Sequence, residues 1–180
     1  MISTLRSASL LAAALLALGL SACTATTAPA PTPTIADAVA DGGCSGDEGV
    51  SVVIDAGDLA GAADTNVSSC IFTDKALGAA DALDILGVET EGTQQYGDQV
   101  ICRVDGQPSA SEPVGSTEDP TYVESCATMP AAFAYWSLWV KPAGGTWDYA
   151  QEGLSTLQLQ PGDSVELLFT LDGAPAAPSA

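Results

Sequence analysis

The chain has 180 residues, 23 acidic against four basic, and a formal net charge of -19 that leaves no electrostatic footprint for a nucleic acid backbone. It contains no histidine, which removes the usual general base, the Ser-His-Asp arrangement and imidazole metal ligands together. Hydrophobic residues make up 47% of the chain and aromatic ones 6%, a balance that suits one modest domain with ends outside its core rather than two independent cores.

Residues 1–22 read as a secretory signal peptide. Arg6 supplies the positive start, and the apolar run over 10–20 is too short for a comfortable membrane span. The run ends in Leu20-Ser21-Ala22-Cys23, which resembles a bacterial lipobox, so Cys23 is the expected site of lipidation. Acyl chains contribute about 0.8 kcal/mol per buried methylene, and two or three of them hold a protein stably on a membrane surface. The expected location is the cell membrane, with a lipid anchor on its extracytoplasmic face. Residues 24–34, Thr-Ala-Thr-Thr-Ala-Pro-Ala-Pro-Thr-Pro-Thr, are too poor in large apolar groups to form a core and read as an extended tether. Residues 35–48 extend this linker, which places the domain over 49–171 and a frayed tail over 172–180. Asp41, Asp47 and Glu48 lack the alternating oxygen ligands and closing glutamate of a calcium loop, and no metal site or cofactor is expected.

Within the domain, the β-branched run at 50–54 and the run at 67–72 read as strands joined by turn-forming residues at 61–66. Residues 74–86 carry Leu77, Ala80, Leu83 and Leu86 at helical spacing, with Thr73 as the cap and Gly87 as the stop. Strands are expected at 88–90 and 99–104, the latter closed by an Asp105-Gly106 turn, followed by a polar surface loop over 109–124. Thr128-Met129-Pro130-Ala131 reads as a capped, short helical start. Pro161-Gly162-Asp163 marks a tight turn before a closing apolar strand at 165–170.

All three tryptophans lie in 134–149, Ala-Tyr-Trp-Ser-Leu-Trp-Val-Lys-Pro-Ala-Gly-Gly-Thr-Trp-Asp-Tyr. As a hairpin with a four-residue turn at 142–145, this stretch sets Val140 opposite Trp147 and Leu138 opposite Tyr149. Trp136, Leu138, Val140, Trp147 and Tyr149 then face the core, while Tyr135, Trp139, Lys141 and Asp148 form the other face and are the candidate ligand-binding residues. With Cys23 lipidated, Cys44, Cys70, Cys102 and Cys126 remain in an oxidising setting, where two disulfides are expected. Three pairings are open. The favoured one joins Cys102 to Cys126, stapling the polar loop to its strand, and leaves Cys44 with Cys70.

The order of elements, with Asp81-Ala82-Leu83-Asp84-Ile85-Leu86-Gly87-Val88, Asp105-Gly106, the aromatic hairpin and Leu159-Gln160-Pro161-Gly162-Asp163-Ser164-Val165, resembles the transcobalamin-like C-terminal domain family. More narrowly, Cys102-Arg103-Val104-Asp105-Gly106-Gln107-Pro108, Ala134-Tyr135-Trp136-Ser137-Leu138-Trp139 and Gly145-Thr146-Trp147-Asp148-Tyr149 look like a group of uncharacterised actinobacterial lipoproteins and secreted proteins. The resemblance implies an α+β, β-grasp-like domain of mostly antiparallel strands with one main helix. It also implies a small-molecule ligand or a transporter component as partner. The expected protein is a monomeric, non-enzymatic module for ligand capture or presentation. The alternative is an envelope module that binds protein or cell wall. A third reading, a hydrolase, would need carboxylate pairs such as Asp55 with Asp58 or Glu118 with Asp119.

Overall fold

In the computed structural model, residues 38–173 and 176–178 are described; the predicted signal peptide, Cys23 and most of the linker lie outside them. The described part is a small α+β domain of ten strands and one α-helix. Six strands form the main sheet: β1 (Val39–Asp41), β2 (Gly49–Asp55), β3 (Val67–Phe72), β7 (Ala134–Lys141), β8 (Asp148–Tyr149) and β10 (Ser164–Leu171). Their spatial order is β1-β3-β2-β10-β7-β8. Only the central pair, β2 with β10, is parallel, and every other pairing is antiparallel. Two small ribbons complete the domain, β4 (Leu77–Gly78) with β9 (Gln158–Leu159) and β5 (Thr90–Thr93) with β6 (Gly97–Val104).

Alternation along the strands divides the main sheet into two faces. Val50, Val52 and Ile54 on β2, Val165, Leu167 and Phe169 on β10, and Trp136 on β7 are buried on one face. Ala79, Ala82 and Leu83 of helix α1 (Ala79–Leu86) join the same core. Trp136 meets Phe169 edge-on at 5.2 Å between centroids, and its indole N–H donates to the Gln107 carbonyl at 3.0 Å. The aromatic pair therefore packs without orphaning a polar group.

The helix is shorter than its sequence predicts. Leu77 and Gly78 pair with β9, and the Ala79 N–H donates to the Leu157 carbonyl, so Gly78 rather than Thr73 occupies the N-cap. The predicted stop is present: Gly87 is left-handed at φ 72°, and the Gly87 and Val88 amides close back onto the Asp84 and Leu83 carbonyls. At the N-terminal boundary, β1 pairs with β3 and Cys44 is bonded to Cys70. The ordered domain thus begins before residue 49, because sheet pairing and a disulfide recruit part of the predicted linker. Asp172, assigned to the tail, accepts hydrogen bonds from Ser116 and Thr117 and belongs to the domain. No helix forms at 128–131, where the chain runs through bends.

Cys102 and Cys126 form the second disulfide. Beside it Arg103, 6% exposed, donates to the carbonyls of Pro108 and Glu124 and pairs with the Glu91 carboxylate. Glu124 in turn accepts from the Cys126 amide and the Tyr122 hydroxyl, each at 2.6 Å. Burial, and then this hydrogen bond, push the Tyr122 phenol up to about 12. The 109–124 loop is therefore pinned by a buried polar network as well as by the disulfide.

Candidate functional site

The face of the main sheet opposite the core carries the residues with chemistry to offer. Pairing register places Lys141, Ser164 and Ser51 in one row across β7, β10 and β2, then Trp139, Glu166 and Val53, then Ser137, Leu168 and Asp55. The chain after β7 folds back over this face. Pro142 to Gly145 is a turn closed by the Gly145 N–H on the Pro142 carbonyl, with Gly144 at φ 68°, but Thr146 and Trp147 stay outside the ladder. Pairing resumes one residue later than a four-residue turn predicts, with Val140 opposite Asp148 and Trp139 opposite Tyr149. A one-residue slip exchanges the faces of a strand. Tyr149 consequently stacks on Trp139 at 3.9 Å between centroids, and Trp147 comes over Lys141, whose Nζ lies 5.0 Å from the indole ring.

Beneath Trp147 is a recess of about 350 Å³, lined by Cys44, Ser51, Val53, Asp55, Lys141, Ser164 and Glu166. Glu166 is only 4% exposed, and its carboxylate has no hydrogen-bond or ion-pair partner among the described residues. Burial pushes its pKa up to about 7, the Asp55 carboxylate adds to the rise, and the Lys141 ammonium opposes it. Asp55 is oriented by the Gly57 amide at 2.8 Å, and the Ser51 hydroxyl accepts from the Cys44 amide at 2.8 Å. The Trp147 Nε1–H is buried and has no acceptor among the described residues. No family model, curated protein or solved structure matches the chain.

The four candidate ligand-binding residues separate in this geometry. Trp139 is not an open platform: it is 8% exposed, covered by Tyr149, and its N–H donates to Ser137, whose hydroxyl donates to the Leu168 carbonyl. Tyr135 is half-buried near Tyr149, whose phenol pKa is raised first by burial and then by Tyr135. Asp148 is exposed and turns back onto the Tyr149 amide. Lys141 alone of the four lines the recess. Glu166 is not among the residues that composition and alternation single out, although a charge inside Val165-Glu166-Leu167-Leu168-Phe169 is a signal, since central strands seldom bury an unpaired carboxylate.

The other carboxylates sit in different settings. Asp58 is exposed, and Asp119 accepts from both the amide and the hydroxyl of Thr121, as turn residues do. Among the described residues, the one group spaced to hold a metal is Glu91 with Cys102 and Cys126, whose thiols are spent on the disulfide. On the core side, a larger cleft of about 590 Å³ opens between β6, β7 and residues 149–156, with Trp136, Leu138 and Leu154 on its walls and Asp98, Gln151 and Glu152 at its rim. An apolar hollow of about 390 Å³ adjoins it through Val100, Met129 and Trp136.

Proposed function

We propose that the chain is a non-enzymatic lipoprotein, anchored through Cys23 to the extracytoplasmic face of the cell membrane, whose domain captures or presents a small molecule in the recess beside Glu166. The observation that carries this reading is the Glu166 carboxylate, 4% exposed and unpartnered inside a hollow of about 350 Å³. Burying a carboxylate without a partner is destabilising, and a group held at such a cost is a candidate for a task other than folding. The hollow is at the lower end of the size range of small-molecule sites, and the Trp147 ring supplies an apolar wall.

A β-grasp-like fold is part of the proposal. The strand order β3-β2-β10-β7, the parallel central pair and the helix between β3 and β10 in the chain support it. The resemblance to the transcobalamin-like domain adds a vitamin or other small molecule, or a transporter component, as the class of partner. The test is mass spectrometry of small molecules released from the lipidated protein purified under native conditions. A compound retained at near-stoichiometric amounts by the wild type and lost from Glu166→Gln is expected; equal retention by both would refute this site.

A second reading, an envelope module that binds another protein, is favoured by the apolar hollow around Met129. That side chain is 59% exposed beside Pro130, Ala131 and Ala132.

A further inference from the structure

We infer that the recess beside Glu166 is a site for a small organic monocation carrying an ammonium group, and that Lys141 is its built-in competitor. This inference rests on the capture reading above and names its ligand class. With Glu166 and Asp55 ionised, the recess holds two negative charges against the single positive charge of Lys141. One negative charge is left over, and a monocation balances it. An anion would meet both carboxylates and is disfavoured.

Lys141 shows how the site treats an ammonium group. Its Nζ rests 5.0 Å from the centroid of the Trp147 ring and forms no salt bridge with Glu166 or Asp55. The aromatic wall therefore already accommodates an alkylammonium by a cation–π contact, while the Glu166 carboxylate stays open to a second one. A ligand ammonium placed against Glu166 would gain a charge-assisted hydrogen bond, with its carbon skeleton against Val53 and Trp147. A divalent metal ion fits less well. Hard cations take six or more oxygen ligands, whereas this hollow offers two carboxylates and the hydroxyls of Ser51 and Ser164 beside an indole and an ammonium. Because Lys141 repels any incoming cation and occupies part of the aromatic wall, removing its charge should strengthen binding, which a merely structural lysine would not do.

The test uses the full lipidated protein in detergent micelles, following the three indole N–H signals by NMR while ethylammonium chloride or propylammonium chloride is added. Potassium chloride, calcium chloride and sodium acetate at matched ionic strength serve as controls. Saturable perturbation of the Trp147 signal by the ammonium salts is expected, weakened about tenfold or more in Glu166→Gln and strengthened about threefold in Lys141→Met. Affinity should also fall as the pH is lowered from about 8 to about 6, because Glu166, faced by Asp55 from β2 and Lys141 from β7, takes up a proton there. Where Glu166→Gln fails to fold, Asp55→Asn replaces it, and binding unchanged in that variant would overturn the assignment. Saturable perturbation by acetate, potassium or calcium in place of the ammonium salts would overturn the ammonium class while leaving small-ligand capture standing. A Trp147 signal that responds to none of these probes would overturn the ammonium class too, and the mass-spectrometric comparison would then decide capture on its own.

Discussion

Trp136 and Trp139 lie three positions apart on β7 and point to opposite faces of the sheet, yet both are buried. Trp136 packs on Phe169 in the core, and Trp139 is held by Tyr149 and Ser137 on the other side. Truncating either to Ala should cost about 3 to 5 kcal/mol, as for large aromatics removed from packed interiors. Tyr149→Ala, at a position 39% exposed, should cost only about 1 kcal/mol. Urea melts of the three variants check this order, and a Trp139→Ala variant as mild as Tyr149→Ala would mean that the stacked pair is not a packing unit. The scarce cations are placed with similar economy. Of the three beyond Arg6, Arg103 is buried in the loop network and Lys141 lines the recess, while Lys75 is exposed.

At the scale of elements, the two disulfides close segments of 26 and 24 residues around short strands. On the chain-entropy model each contributes roughly 3.5 kcal/mol. A Cys102→Ala/Cys126→Ala double variant should therefore lose a few kcal/mol in denaturant melts, and the 109–124 segment should become the first site of proteolysis. Unchanged stability would show that Arg103 and Glu124 hold the loop unaided. What was legible in the sequence follows from how local each signal is. β3 coincides with its β-branched run, the Gly87 stop follows from one residue's freedom, and the Asp105-Gly106 turn has both residues at positive φ. Both favoured cysteine pairings are those formed. Non-local competition was not legible. Leu77 and Gly78 carry a helical pattern but are claimed by β9, 80 residues on, and Val39–Asp41 becomes a strand only because β3 has a free edge. The hairpin register failed because the loop after β7 keeps Thr146 and Trp147 out of the ladder, and a single residue then decides which aromatics face the core.

The described domain is built on a main sheet with one face in the core and one partly polar face. If Cys23 carries the anchor and the proline-rich residues 24–34 act as its tether, Cys23→Ala should move the protein from the membrane fraction to the soluble fraction with its melting temperature unchanged. Retention on membranes after a salt wash would contradict the anchor. A carboxylate kept unpaired for binding lowers the stability of the fold, a trade-off common at functional sites, and Glu166 puts this to the test. The folded state raises its pKa from 4.5 to about 7 and so binds the proton more tightly than the unfolded chain. This contribution to stability is complete below the ordinary carboxylate range, declines as pH rises, and is lost above about 7. The most direct measurement is urea denaturation of the wild type and Glu166→Gln at about pH 5 and about pH 8 without added ligand. Similar stabilities are expected at the lower pH and a more stable Glu166→Gln variant at the higher one. A variant less stable than the wild type at the higher pH would show that the carboxylate is already satisfied within the fold, and would contradict a binding role for Glu166.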